Sequence, residues 1–283
     1  MQKNKYKIIF IDIDGTLVDD EKIISEATKD VLRKLKDSGI YIVLTSGKPY
    51  KSIETFATKC FSTPYLIGSN GAIVKDFIDD LEIFSKKLEK DVATQILKCI
   101  KENNLYTMIT ISGNLISDER DYGMLPENRS EIIIVDSVTD YLKETNNPIL
   151  KFTVISQDKL KLDSFRNDVA KIPNMYVLPT DIIPIAPRFW KPKEGESIPY
   201  CVDIMALNVS KMESIKTLCN YLNIDKSQTI GIGDGLNDID MFEAVGYKIA
   251  MGNSVPEIKA MADTITLSNN ESGVAVALNK MFF

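Results

Sequence analysis

The sequence predicts a doubly wound α/β protein: a Rossmann-like parallel sheet into which a second domain of α+β texture is inserted. Three observations carry that prediction. Short apolar runs rich in Ile and Val alternate with amphipathic segments in the first third of the chain, the same alternation returns in the last third, and the stretch between them changes texture. A length of 283 residues gives room for about two domains at the usual size of roughly 150 residues each.

The run KIIFID predicts the first strand, and a helix is expected from Ser25 to Ser38, where Gly39 stops it. IYIVLT is expected as the second strand, Ser52 to Cys60 as the second helix and YLIG as the third strand. Runs this continuously apolar suit a parallel sheet covered on both faces. In the last third a strand near Val202 to Met205 leads to a helix from Lys211 to Leu222. TIGIGD, a helix through Asp238 to Ala244, YKIAM and a final strand near Thr264 to Leu267 follow. Ser210 with Glu213, and Ser254 with Glu257, have the S-x-x-E spacing of a capping box, which marks two helix starts.

The two ends of the chain are expected to share one sheet, so that residues 1–83 and 200–283 form a core domain around an insert of residues 84–199. Within the insert the pattern predicts a helix from Asp91 to Glu102, a hairpin TMITISGNLIS turning at Gly113 and Asn114, and strands near Ile132 and Phe152. A helix near Leu160 to Ala170 and short strands near Tyr176 and Ile183 come next. Pro179, Pro184, Pro187, Pro192 and Pro199 make the end of the insert an irregular connection or flap.

Composition narrows the function. A net charge of -6 and a pI near 5.0 argue against a nucleic-acid partner, which needs a clustered excess of Lys and Arg. No apolar run approaches the ~20 residues of a membrane span, and the start of the chain lacks the features of a signal peptide. Cys60, Cys99, Cys201 and Cys219 are far apart with no C-x-x-C pair, so reduced, mostly buried thiols and a cytoplasmic protein are expected. Histidine is absent, which removes Ser-His-Asp and Cys-His catalysis. Acids, bases and nucleophiles must then come from carboxylates, Ser, Thr, Cys, Lys or Tyr, and oxygen ligands point to Mg²⁺ rather than zinc.

The chemistry-bearing residues cluster at strand ends. Asp12-Ile13-Asp14-Gly15-Thr16 follows the first strand directly, and open parallel sheets bind ligands beyond the carboxyl ends of their strands. Gly233-Asp234-Gly235-Leu236-Asn237-Asp238 follows TIGI in the same way, and carboxylates gathered from two strand ends call for a cation between them. Thr45-Ser46-Gly47-Lys48 ends a third strand with a hydroxyl for a phosphoryl oxygen. Ser210-Lys211, expected after a fourth strand, sets a lysine at a helix N-terminus that favours an anion. Each has an ordinary structural reading when taken alone, such as a turn, a helix cap or a solvated lysine. Their convergence on one end of a sheet is what points to a site.

With these residues in place, the chain resembles the haloacid dehalogenase superfamily, and within it the Cof-like branch of sugar-phosphate phosphatases with a large inserted cap (type IIB). The resemblance spans nearly the whole chain: DIDGT looks like the first family motif, TSGK the second, the lysine of NVSK the third and GDGLND the fourth. SNGA at 69–72, AMGN at 250–253 and the closing SGVAVAL also look like that branch. Ser46 and Lys48 stand where many members have Thr and Arg; the hydroxyl is kept and the planar guanidinium fork is lost.

The resemblance implies that Asp12 is the nucleophile and that Mg²⁺ is held by Asp12, the Asp14 carbonyl and Asp234, with Asp238 and Asn237 completing or orienting that site. Asp14 would protonate the leaving oxygen and later activate water, while Ser46 and Lys211 would hold the transferring oxygens. Gly15, Thr16, Gly47, Asn237 and Arg188 are the expected substrate contacts, and Arg188, Trp190 and Lys191 are candidates for specificity. The expected partner is a small phosphorylated molecule such as a sugar phosphate, a nucleotide or a phosphorylated cofactor, and the expected state is a monomer or homodimer. A phosphomutase using the same aspartate and a non-enzymatic phospho-receiver or metabolite sensor remain as alternatives; Asp14 and the large insert count against the receiver.

Overall fold

The computed structural model describes residues 5–60, 62–111, 113–118, 132–178, 183–184 and 199–283. In chain order the first strands and helices are β1 (Ile8–Asp12), α1 (Glu26–Asp37), β2 (Tyr41–Thr45), α2 (Tyr50–Lys59), β3 (Tyr65–Gly68), β4 (Ile73–Asp76) and β5 (Leu81–Ser85). Next come α3 (Lys90–Glu102), β6 (Tyr106–Ile111), β7 (Asn114–Asp118), β8 (Ile132–Val135), α4 (Val138–Glu144), β9 (Ile149–Ser156), α5 (Lys159–Val169), β10 (Met175–Val177), β11 (Ile183–Pro184) and β12 (Tyr200–Ala206). The chain closes with α6 (Lys211–Tyr221), β13 (Thr229–Gly233), α7 (Ile239–Ala244), β14 (Tyr247–Ala250), α8 (Pro256–Met261), β15 (Thr264–Ile265) and α9 (Gly273–Phe282). Contacts divide the chain into two units, residues 1–85 with 210–283, and residues 86–209.

Among the described residues of the first unit, eight strands run in the order β15-β14-β13-β1-β2-β3-β4-β5, parallel from β15 to β3. Both faces of β1 are buried, which is why its sequence shows no polar alternation. Ile9 and Ile11 pack with Val31, Leu32 and Leu35 of α1, Ile53 of α2 and Leu278 of α9. Ile8 and Phe10 pack on the opposite side with Ile215 and Leu218 of α6, Phe242 of α7 and Ile258 of α8. The fold is therefore helix, sheet, helix, as the alternating pattern predicted. The hairpin β4–β5, which extends the sheet antiparallel beyond β3, was not anticipated. Leu81 and Glu82 are exposed in β5, so this edge hairpin lacks the apolar signature of the central strands.

In the second unit β10, β12, β9, β6, β7 and β8 form one sheet, with β11 paired to β12. Its pairs are antiparallel except β7 with β8. Phe152 and Val154 of β9 are fully buried, and α3 and α5 pack against this strand. The strand near Val202 to Met205, expected with the core sheet, belongs instead to this one, because β12 pairs with β9 and β10. Periodicity identifies a strand but not its partner, which is a long-range choice. The hairpin forms as β6 and β7, with Gly113 at φ +81° between them and Asn114 already paired to Ile111. Helix α4 had no sequence forecast, and at seven residues it is too short for a clear helical period.

The two capping predictions divide. Ser210 caps α6, its Oγ accepting the Glu213 N–H at 3.1 Å. Ser254 does not cap α8; the helix starts one residue later behind Val255 with Pro256 in its first turn, and the Ser254 hydroxyl donates instead to the Gly233 carbonyl at 3.2 Å. A proline at the first helical position sets φ by itself and displaces the cap. No helix among the described residues is long and apolar enough to cross a membrane.

Candidate active site

Three adjacent strand ends of the first unit bring the motifs together. Asp12 closes β1 and is the register partner of Thr45, so Ser46 begins the loop beside it. On the other side Ile11 pairs with Ile232, which puts the Gly233–Asp238 turn next to Asp12. Asp12 and Ser46 are buried, and Asp238 has no exposed surface.

Lys211 arrives differently from the expectation. It does not follow a strand of this sheet, since β12 lies in the other one; it opens α6, whose first turn rests on the loop Ser69–Gly71. Gly71, at φ +98°, has no room for a side chain, because a Cβ there would overlap the Ser210 carbonyl. The Ser214 hydroxyl donates to the Gly71 carbonyl at 2.5 Å. Lys211 lies on the buried stripe of α6 with Ser214, Ile215, Leu218 and Cys219, and only 2% of it is exposed. Its Nζ donates to Asp12 Oδ1 at 2.7 Å and to Asp238 Oδ1 at 2.6 Å. Burial alone would push this ammonium down; Asp12 and Asp238 outweigh burial and hold it above the usual lysine range.

Asp12, Asp234 and Asp238 each offer a carboxylate oxygen, and the three atoms lie within 4.8 Å of one another. Burial, then the charge of Asp238, push the Asp12 carboxyl well up, with Asp234 adding to the push and Lys211 opposing it. These three carboxyl groups, with the Lys211 ammonium against two of them, make a set of hard oxygen donors that fits Mg²⁺. The turn that supplies two of them is fixed by its backbone. Asp238 Oδ2 accepts the N–H groups of Asp234 at 3.0 Å and Gly235 at 3.2 Å, and a Cβ on Gly233 would come within 2.5 Å of that same oxygen.

The Asp14 carboxylate is not part of this trio. Lys22 Nζ sits 2.6 Å from its Oδ1 and Lys48 Nζ 3.0 Å from its Oδ2. Burial raises the carboxyl, and the two lysines more than offset it, so Asp14 stands below the usual carboxylate range. Any contribution of Asp14 to a metal therefore falls to its main-chain carbonyl.

Thr16, expected against substrate, turns its hydroxyl to Asp234 Oδ1 at 2.8 Å. Gly15 turns the loop at φ +83°, and its carbonyl accepts the Asn253 amide at 2.8 Å. Ser46 Oγ accepts the Lys48 N–H at 3.2 Å, and a Cβ on Gly47 would come within 2.7 Å of Asn70 Oδ1. Asn237 stands beside Gly235 in the fourth-motif turn, half-buried. Arg188, Trp190 and Lys191 lie outside the described residues.

Sequence reasoning noted SNGA and AMGN without giving Asn70 or Asn253 a place in the site. It also missed Asn269, whose N–H donates to Asn253 Oδ1 at 2.9 Å and whose amide donates to the Val18 carbonyl at 3.1 Å. These asparagines act through loop geometry, and only Asn70, with φ +56°, occupies the left-handed region that Asn tolerates. The four cysteines are free thiols, and burial pushes Cys60 and Cys201 up to about 12 and Cys219 up to about 11, so none of these three is a thiolate nucleophile at neutral pH.

A parallel sheet with acidic strand-end loops defines an α/β enzyme, and comparison with known proteins gives its family. Residues 9–278 match the haloacid dehalogenase-like hydrolases, and the chain belongs to that family. Phosphatase YwpJ of Bacillus subtilis is 28% identical over 290 residues, covering 95% of this chain and 97% of its own. The 5-amino-6-(5-phospho-D-ribitylamino)uracil phosphatase YitU of the same organism is 26% identical over 299 residues, covering 99% of each chain. A haloacid dehalogenase-like hydrolase from Bacteroides thetaiotaomicron shares the fold with a TM-score of 0.81 at 23% identity, over 98% of this chain and 100% of that one. Within its family the protein is a phosphatase.

Proposed function

We propose that the protein is a Mg²⁺-dependent phosphatase of a small phosphorylated metabolite and that it works through an aspartyl-phosphate on Asp12. The observation that carries this reading is the buried arrangement of Asp12 with Lys211, Asp234 and Asp238, which provides a nucleophile, a fixed ammonium and an acidic trio at one sheet end. Asp12 attacks phosphorus through one carboxylate oxygen as the ester P–O bond breaks. Asp14 gives its proton to the departing oxygen and takes one from the water that then hydrolyses the aspartyl-phosphate. Mg²⁺ held by Asp12, Asp234 and Asp238, with the Asp14 carbonyl, would neutralise charge on the phosphoryl oxygens and lower the repulsion between two anions. Lys211 and the Ser46 hydroxyl hold the transferring oxygens.

The lysines on Asp14 are consistent with this cycle. An incoming phosphoryl dianion competes for Lys48 and brings negative charge beside Asp14, and both effects raise that carboxyl's affinity for a proton. The substrate in the name of one relative, a phosphorylated ribitylamino-uracil, supports the class of small phosphorylated metabolite. The four free thiols, two of them buried, support the cytoplasm as its compartment.

The test is phosphate release from sugar phosphates, nucleotides and pyridoxal phosphate, with Mg²⁺ or with excess EDTA, by wild type and Asp12→Asn. We expect release to fall by at least ~10³-fold in the variant, at an unchanged thermal midpoint, and to stop in EDTA. Turnover retained in Asp12→Asn would remove the covalent step. Full activity in EDTA would remove the metal, and rearranged phosphoesters without free phosphate would make the protein a mutase.

A further inference from the structure

We propose that Lys22, which lies outside all four motifs, is a positioning residue that fixes the Asp14 carboxylate for proton transfer. The inference rests on the reading of Asp14 as the proton carrier.

Lys22 sits on a closed loop. The Asp19 N–H donates to the Ile23 carbonyl at 3.1 Å, the Lys22 N–H to the Asp19 carbonyl at 3.1 Å, and the Ile23 N–H to Asp19 Oδ1 at 2.8 Å. The loop is tied to the C-terminal part of the unit as well: Asn269 donates to Asp20 Oδ1 at 3.1 Å and Asn270 to Asp20 Oδ2 at 3.0 Å. Within it Lys22 holds φ +63°, a left-handed conformation that glycine or asparagine adopts with less strain. A strained residue kept on an anchored loop points to what its side chain does. Here the side chain reaches back over the first motif to Asp14.

The geometry of that contact is specific. Two ammonium groups from two separate loops each take a different oxygen of one carboxylate, Lys22 on Oδ1 and Lys48 on Oδ2. A single ammonium leaves a carboxylate free to pivot about its Cβ–Cγ bond, whereas two fix its plane. That plane matters because Asp14 stands two residues from Asp12, and its carboxylate is kept out of the trio formed by Asp12, Asp234 and Asp238. Proton delivery requires the carboxyl within hydrogen-bond reach of the leaving oxygen, and small misplacements cost rate. The proton passes from the Asp14 carboxyl to the ester oxygen as the alcohol leaves and is replaced from the attacking water, so Lys22 itself gains and loses none.

The experiment compares two leaving groups. p-Nitrophenolate departs from its phosphate ester without a proton, while the alkoxide of the best sugar phosphate in the panel needs one. For Lys22→Met we expect kcat/KM, which reports the steps up to departure of the leaving group and not the later hydrolysis common to both esters, to fall roughly 10- to 100-fold on the sugar phosphate and less than about 3-fold on p-nitrophenyl phosphate. KM is expected to change little on either, Lys22→Arg to restore most of the loss, and thermal midpoints to stay level. Equal losses on both esters, a rise in KM alone or no change would each overturn the proposal. Asp14→Asn run beside it should show the same selectivity. If it shows none, the reading of Asp14 fails and the Lys22 proposal with it; if Asp14→Asn is selective and Lys22→Met is not, only the proposal fails.

Discussion

Each unit buries a lysine against carboxylate, and the two arrangements differ in how many carboxyl groups gather round it. In the second unit Lys151 of β9 lies 2.9 Å from Asp203 Oδ2 of the neighbouring strand β12, and the Thr153 hydroxyl donates to Asp203 Oδ1 at 2.6 Å. There one ammonium meets one carboxylate. In the first unit Lys211 faces Asp12 and Asp238, with Asp234 beside them, so three carboxyl groups gather round one ammonium. The first pattern is what a sheet needs in order to bury charge safely; the second is unfavourable by itself and makes sense when a cation and a phosphoryl group complete it. The gathering of several carboxyl groups, more than burial, separates this site from a structural ion pair.

The sharpest way to break this comparison is Lys211→Met. It strands two buried carboxylates, so we expect a loss of about 3–5 kcal/mol in urea unfolding and turnover down by at least ~10²-fold. A loss below about 1 kcal/mol would mean that the arrangement is less tightly coupled than its geometry implies. Gly71→Ala is expected next in size. With φ +98° and the Ser210 carbonyl in the way, it should cost about 2 kcal/mol and lower kcat by shifting the start of α6, without touching any charged group. The smallest effects belong to Lys151 and Asp203: Lys151→Met alone should cost about 1–3 kcal/mol, and adding Asp203→Leu should bring stability back to within about 1 kcal/mol of wild type. If the double variant stays as unstable as the single one, the pair is not self-contained and the contrast between the units weakens.

Much of the site was legible because its residues follow strand ends within short, contiguous motifs. Asp12 and Asp14 come after an apolar run, and Asp234 and Asp238 after another, so a local pattern places each group. Lys211 was legible as a candidate for a reason that proved incomplete. The strand before it belongs to the other sheet, and its position is secured by Gly71 packing on Ser210, a contact between residues 139 positions apart in the chain. Lys22 carried no signal, since a lysine in a charged loop reads as solvated until the fold turns it onto Asp14. The Ser254 cap failed for a local reason, the proline two residues on.

The sequence by itself determined that the first unit is a doubly wound sheet, that no histidine chemistry operates, and that carboxylates gather at the ends of strands. These follow from periodicity, composition and short spacing, which are properties of neighbouring residues. Only the tertiary structure decided which sheet takes β12, that Thr16 bonds Asp234, and that two lysines divide the oxygens of Asp14 between them. Those outcomes depend on which distant segments meet, and strand pairing and ion pairing across hundreds of residues are selected by the packing of the whole unit and leave no periodic trace in the chain.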